Sequence, residues 1–502
     1  MATTDTTEST PRRHLSLVRW AFPVIVMTLL GSLLGVMYLD YVVDPEKNLH
    51  NFPIALVNQD VGDDLSQPGQ PAKHVNFGDQ VSAGLQKAVP SDKIDLRVLG
   101  INESQLQMQS AQVYATIIIP SDFSKRLGIL GVGSVVPGNI SKPVITLQTN
   151  PRTGAFATAI VTKFGDEALT QVNAQVGQQL TDTVKAQLTP PPGAPPTELS
   201  AATRLVLAQP LDIVVSEFQP LPGGSGEGLT AFFYSLMLLL IGMVGAMIIH
   251  QLIDSALGFL PTEWGPWYVH YPRASISRFK TLMIKWSAVV ALAVCASAAL
   301  EGIGAGLGMP IDRPLLLFLY SVLVMTAVGV TCTAVLAAVG TAGLIVNLIF
   351  FVILGLPSSG GTVPIEATPK YFGWLAKFEP MHQVFLGTRS ILYFDGSAQA
   401  GLSRGIWMSV LGLAVGLVFG LFITRFYDRK GLERKPIQAR ATVPATPDQQ
   451  SAAGQESTPP EEPGPAQESA PTQKTGPTKE STLPQESGPA PGSGRHRSPE
   501  ES

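Results

Sequence analysis

The chain has 502 residues, of which 45% are hydrophobic and 14% charged, and a formal net charge of −4 at pH 7. So small a charge, with no basic stripe away from the apolar runs, excludes a phosphate-binding nucleic-acid protein. The two cysteines, Cys295 and Cys332, both sit in apolar runs, which excludes a disulfide framework, and no Cys/His metal spacing occurs.

The first apolar run covers about 20–40 and follows Arg12, Arg13 and Arg19. FPVIVMTLLGSLLGVMYL is long for a signal-peptide core, and YLDYVVDPEK stands where small cleavage-site residues would be, so the run reads as a retained signal anchor. Trp20 marks its inner end, and Tyr38 and Tyr41 its outer end.

Residues 41–228 read as an extracytoplasmic α/β domain. FPIALVNQD is a buried strand and GDQVSAGLQKAV a helix burying Val81, Leu85 and Val89. Then come strand IDLRVLG, helix NESQLQMQSAQ, strand VYATIIIP, a helix from SDFSKRLGIL, strand KPVITLQTN, a long helix over 155–188 and strand LDIVVSEFQP. Alternating strands and helices imply at least partly parallel pairing. His74 reads as a solvated loop histidine. Asp60, Asp63 and Asp64 read as a solvated acidic turn rather than a cation site, because the glycine and terminal glutamate of a calcium loop are missing. GVGSVVPGN and GGSGEG lack the lysine of a P-loop, and no nucleophile elbow or HExxH helix is present. The chain is therefore expected not to be an enzyme and to need no cofactor.

Five further apolar runs, about 229–250, 284–306, 315–338, 341–357 and 404–425, are candidate spans. With six spans, the basic clusters of the N-tail (1–19), of Arg273, Arg278, Lys280 and Lys285, and of Arg425 to Arg440 all fall on one side, which the positive-inside rule makes cytoplasmic. The weakest boundary is VGTAG, between the fourth and fifth runs. The membrane domain is then 229–426. Segment 427–502 is a basic stretch and a Pro/Glu/Ser-rich tail, disordered from about 441. Within the spans only Glu301 stands out as ionisable, near an outer end, with Asp312 and Arg313 in the next turn and Asn347 mid-span.

Two loops carry the candidate sites. Loop 251–283 holds Trp264, Trp267, Arg273, Arg278 and Lys280, an aromatic and basic set suited to the inner surface or to a coupling helix pressing on an ATPase. Loop 358–403 is too apolar for an exposed loop and reads as two short helices either side of Pro380 that re-enter the outer leaflet. Tyr371, Trp374, Phe378, Glu379 and Arg389 form either an exit gate or an interfacial belt, with Glu379 and Arg389 pairing or touching headgroups.

PIALVNQDVG, ATIIIPSDFSKRL and PSSGGTVPIEATPKYFGWLAKFEPMHQVFLGTRSIL carry a resemblance. Over about 15–430 the chain resembles the phage-infection-protein-like (YhgE/Pip) group of the ABC-2-type membrane permease superfamily, with a shorter insert. The resemblance implies a 1 + 5 arrangement of six transmembrane helices around an external domain, and export with a separate ATPase. The expected function is thus a plasma-membrane permease subunit, multi-pass with both termini inside, working as a homo- or heterodimer among membrane lipids on a lipid-like or amphipathic compound. The alternatives are an envelope interaction protein using the external domain, or a proton-linked exporter.

Overall fold

The computed structural model describes residues 17–65, 73–133, 141–187 and 199–432. They belong to a unit ending at Lys435. The tail expected to be disordered, with Arg12 and Arg13 at the other terminus, lies outside them.

Helix α1 (Leu17–Val42) presents an apolar window that buries nothing in the protein, so its natural surroundings are hydrocarbon. Between it and the next long helix lie β1 (Phe52–Asn58), β2 (Asp63–Leu65), β3 (Lys73–Val75), α2 (Phe77–Ala88), β4 (Ile94–Val98), α3 (Ile101–Gln109), β5 (Ala115–Ile119), α4 (Phe123–Gly133), β6 (Val144–Thr149), α5 (Ala155–Gln187), α6 (Ala201–Ala208) and β7 (Asp212–Glu217). Five strands form one sheet in the order β4-β1-β5-β6-β7. The β1 pairings with β4 and β5 are parallel, β5–β6 is antiparallel and β6–β7 is parallel.

The strand sequences explain their places. FPIALVN is a continuous apolar run and lies inside, covered on both faces. VITLQT alternates and is buried on one face only, and the edge strand DIVVSE is largely exposed. One face of the sheet, with Ile54, Leu56, Ile117 and Leu147, packs on α2, α4 and α5 through Val81, Leu85, Phe123, Leu127, Val161 and Val172. The opposite parity places Ala55 against Met108 of α3. Gly177 of α5 lets α6 approach, since a Cβ there would stand 2.5 Å from the Leu207 carbonyl oxygen.

The membrane part comprises α7 (Leu229–Ala256), the hairpin β8 (Thr262–Trp264) and β9 (Trp267–Val269), α8 (Arg278–Gly306), α9 (Pro314–Val339), α10 (Gly343–Leu348), α11 (Lys370–Leu375), α12 (Pro380–Tyr393) and α13 (Ser403–Arg429). Five described helical stretches are long and apolar enough to cross a membrane, the fourth running from Pro314 to Ile353. That stretch is folded back on itself. Asn347 Nδ2 donates to the Cys332 carbonyl at 3.2 Å, whereas fifteen residues of unbroken helix would separate the two by about 22 Å. The turn is Gly340–Ala342, with Gly340 at φ +63°, and a Cβ on Gly343 would lie 3.1 Å from the Leu336 Cα. The span expected over 341–357 is therefore a short return leg, six α-helical residues and five π-helical ones, and not a sixth long helix.

Contacts sort the helix ends into two groups. Tyr38 Oη donates to the Val352 carbonyl, the Val363 amide to Tyr41 Oη, and Arg313 pairs with Asp395. These join the end of α1, the return leg, the start of α9 and the 358–403 segment on the insert's side. At the other end the Asp428 carboxylate accepts from the Arg278 and Phe279 amides, and Tyr427 Oη donates to the Ala338 carbonyl. These join the start of α8 to the ends of α9 and α13.

Candidate functional site

The loop between α7 and α8 forms a β-hairpin where a coupling helix was expected, because Gly265 at φ +57° turns the chain between the paired Trp264 and Trp267. Trp264, Trp267 and Tyr268 are each about two-thirds exposed or more. The hairpin is tied back to α7 by the Ser255 and Thr262 hydroxyls and by the Ala274 amide on the Leu257 carbonyl. Arg273 and Lys280 are exposed. Arg278 instead has structural work: its Nε donates to the Leu432 carbonyl at 2.9 Å and its guanidinium lies 5.1 Å from the Tyr427 ring centroid. Arg273 and Arg278 line a cleft of about 430 Å³ with Tyr427 and Asp428.

Just above it sits a cluster the sequence reading missed. Lys285 Nζ lies 2.6 Å from Asp254 Oδ1 and 3.1 Å from His250 Nδ1, and His250 Nε2 lies 3.3 Å from Asp254 Oδ2. Lys285 and Asp254 are almost wholly buried. Glu301 is thus not the one ionisable residue inside the long helices. The i, i+4 spacing of His250 and Asp254 was a readable sign that they share a helix face. That Lys285 meets them depends on how α8 packs, which no local pattern encodes.

At the other end, α11 and α12 flank Pro380 as short helices. Tyr371 Oη donates to Asp40 of α1 at 2.5 Å. Trp374 and Phe378 are exposed and meet edge to face at 5.3 Å. Glu379 and Arg389 do not pair. They stand ten residues apart along α12, about 15 Å of rise. Glu379 is buried and caps α12, its Oε2 accepting from the Met381 and His382 amides at 2.7 and 3.4 Å. Gly355 makes room for it, since a Cβ there would stand 2.7 Å from Glu379 Oε1.

Burial pushes the Glu379 carboxyl up to about 8. A raised carboxyl pKa means that the fold favours the protonated form. Its contribution is full below the ordinary carboxylate range and is lost as pH climbs through about 8. Glu379→Gln should therefore match the parent in stability to within about 1 kcal/mol near pH 4, and exceed it by a margin that grows as pH rises and levels off above about 8. Parallel stability profiles between those pH values would contradict this.

The insert touches this end directly. The His50 amide donates to the Glu366 carbonyl at 2.7 Å, Tyr114 Oη to Glu366 Oε2 at 2.7 Å, and Arg152 to the Tyr393 carbonyl at 2.6 Å. Tyr114, Glu366, Arg389 and Arg404 line a chamber of about 480 Å³. Burial and the neighbouring Glu366 carboxylate hold the Tyr114 phenol well above its ordinary value, so it stays a donor.

Elsewhere in the insert, His74 is exposed and pairs with Asp64 at 3.0 Å. Asp60 is not solvated. It is buried, and its oxygens accept from the Gly78 and Ser124 amides at 2.9 and 3.0 Å. Donors aimed at both oxygens leave them ill placed for a cation.

Residues 22–415 match the family described as "Protein of unknown function (DUF3533)". No curated protein matches the chain. Among solved structures it is similar to one titled "Crystal structure of a domain of a putative ABC type-2 transporter from Thermotoga maritima MSB8", at 17% identity and a TM-score of 0.21, covering 36% of this chain and 99% of that one. A score that low does not establish a common fold.

Proposed function

Because the chain belongs to the DUF3533 family, whose description leaves its activity open, we propose from its own geometry that it is the membrane subunit of an ABC-2-type exporter acting with a separate ATPase. The observation that carries this is the hairpin Thr262–Val269. Three large aromatic side chains stand exposed at its tip, beside a cleft bordered by Arg273 and Arg278. Clustered exposed aromatics beside arginine are the composition of a protein interface.

In this reading the short return leg completes a sixth crossing, and both termini, the hairpin and the ends of α9 and α13 are cytoplasmic. The sequence resemblance to the YhgE/Pip group supports the same arrangement. The cargo is a lipid-like compound released near α11 and α12, and the working unit is a dimer. A second reading, a proton-linked exporter, draws support from the His250, Asp254 and Lys285 cluster, since ionisable groups between spanning helices commonly serve proton transfer.

The test is partner recovery in mild detergent. Trp264→Ala with Trp267→Ala, and separately Arg273→Gln with Lys280→Gln, should lower recovery of a nucleotide-hydrolysing partner about tenfold or more. Arg278 is left intact because it holds α8 to α13. Cysteines placed at Ser200 and Ser481 in a background lacking Cys295 and Cys332 control for topology. The first should label with an impermeant reagent in intact cells and the second only after lysis. Unchanged recovery from either pair, with the labelling pattern kept, would refute the coupling role.

A further inference from the structure

The chamber between the insert and the 358–403 segment has an imbalance of charge. Its walls carry Arg97, Lys377, Arg389 and Arg404 against a single carboxylate, Glu366. Arg97 is satisfied by Asp95 at 2.7 Å, and Glu366 accepts from Tyr114. Among the described residues, no carboxylate comes within ion-pair distance of Lys377, Arg389 or Arg404.

Arg389 is the informative member. It is 8% exposed, its guanidinium lies 5.4 Å from the Phe385 centroid and 5.8 Å from that of Phe394, and its Nε has no hydrogen-bond partner. A guanidinium this buried, with Nε unpartnered and Glu366 acting on it only beyond ion-pair distance, is costly to keep, and two aromatic rings supply little of what a carboxylate or phosphate would. Its fork geometry suits a two-oxygen anion. His382, also in the wall, donates its Nδ1 hydrogen to the Ser359 carbonyl at 2.8 Å and stays neutral, because burial lowers its pKa to about 4. It adds neither charge nor competition.

The segment that forms one wall also carries exposed aromatic side chains next to its lining residues. Gly373, Ala376 and Lys377 line the chamber, and the residues between and beside them, Trp374 and Phe378, are 63% and 60% exposed. A site for a free inorganic anion gains nothing from these side chains, whereas an acyl chain would cover them.

We propose that this chamber binds the anionic headgroup of an amphiphile, on Arg389 and Arg404, with the apolar chain lying along Trp374 and Phe378. The assignment rests on the exporter reading and names the chemical class of its cargo.

The experiment uses the full chain purified in a neutral detergent, titrated with phosphatidylglycerol, with phosphatidylcholine of the same acyl chains, and with inorganic phosphate, bound lipid being counted by native mass spectrometry. Phosphatidylglycerol should bind about tenfold more tightly than phosphatidylcholine, the worth of one or two charge-assisted hydrogen bonds. Arg404→Gln, an exposed position in the first turn of α13, and Arg389→Gln should each abolish most of that preference. Arg404→Lys should keep part of it and Lys87→Gln, an exposed position on α2 away from the chamber, all of it. Equal binding of the two lipids would overturn the proposal. So would a preference that survives Arg404→Gln in folded protein, or inorganic phosphate binding as tightly as the lipid. No ATP or transport enters the assay. Lipid preference without any ATPase partner would remove the exporter reading and leave the chamber. A bound partner without lipid preference would do the reverse.

Discussion

Lys285→Met should destabilise the membrane region by about 3–5 kcal/mol, because it strands a buried carboxylate. Asp254 is nearly sealed from solvent, and Lys285 stands 2.6 Å from it. His250, one turn back on α7, is the third member, 3.3 Å from the same carboxylate. The cluster joins α7 to α8 just above the hairpin that connects them, so its loss should also free the hairpin from its fixed position. A thermal melt of the purified full chain reads the first effect and proteolysis within 257–277 the second. Lys285→Met combined with Asp254→Leu removes both charges and should recover most of the loss, since an apolar replacement of a buried pair is often close to neutral. If Lys285→Met melts with the parent, or if the double variant is worse than the two single losses added, the cluster does not hold these helices together.

What could be read from the chain alone follows from the range of the forces involved. FPIALVNQD, IDLRVLG, VYATIIIP and KPVITLQTN are strands in the structure because each carries its own apolar pattern. The helix with Val81, Leu85 and Val89 shows its buried face in its spacing. The β2–β3 pair escaped because its strands are three residues each and polar, and α6 because eight residues are too few to show a helical period. The fifth apolar run misled through composition. GLIVNLIFFVI is apolar enough to cross, but the Gly340 turn and the π-helical Ile349–Ile353 shorten the leg. Site residues divided in the same way. Exposed Trp264, Trp267 and Trp374 stand where surface aromatics on short loops would be placed. Glu379 caps its own helix through the Met381 and His382 amides and Arg389 lies one turn beyond Phe385, both local relations, whereas Arg278 is held by Asp428 and Leu432 and Arg389 shares its chamber with the insert's Tyr114, partners far along the chain. Single-sequence spacing carries no information about such pairings.

Asp60 is the plainest case, and replacing it should cost the external domain about 4 kcal/mol. In sequence it opens an acidic turn, and nothing local separates it from Asp63 and Asp64. In the fold it sits at the mouths of two helices. Oδ1 accepts from the Ser124 amide at 3.0 Å and the Gly62 amide at 3.3 Å, and Oδ2 from the Gly78 amide at 2.9 Å and Ser124 Oγ at 2.5 Å. Gly78 lies in the first turn of α2 and Ser124 in that of α4, where unpaired amides and the positive ends of both helix dipoles favour an anion. Gly78 has no substitute, since a Cβ there would come 2.4 Å from the Asp60 Cβ. Asp60→Ala leaves two buried amides without acceptors. Asp60→Asn keeps an acceptor but no charge and should lose about half as much. Urea unfolding of residues 44–222, followed by circular dichroism, measures both, and the transition should be insensitive to reductant because the segment has no cysteine. Asp64→Ala, an exposed neighbour paired with His74, should stay within about 0.5 kcal/mol of the parent. If Asp60→Ala unfolds alongside Asp64→Ala, the two helices do not depend on that carboxylate, and the acidic turn is as dispensable as its sequence looks.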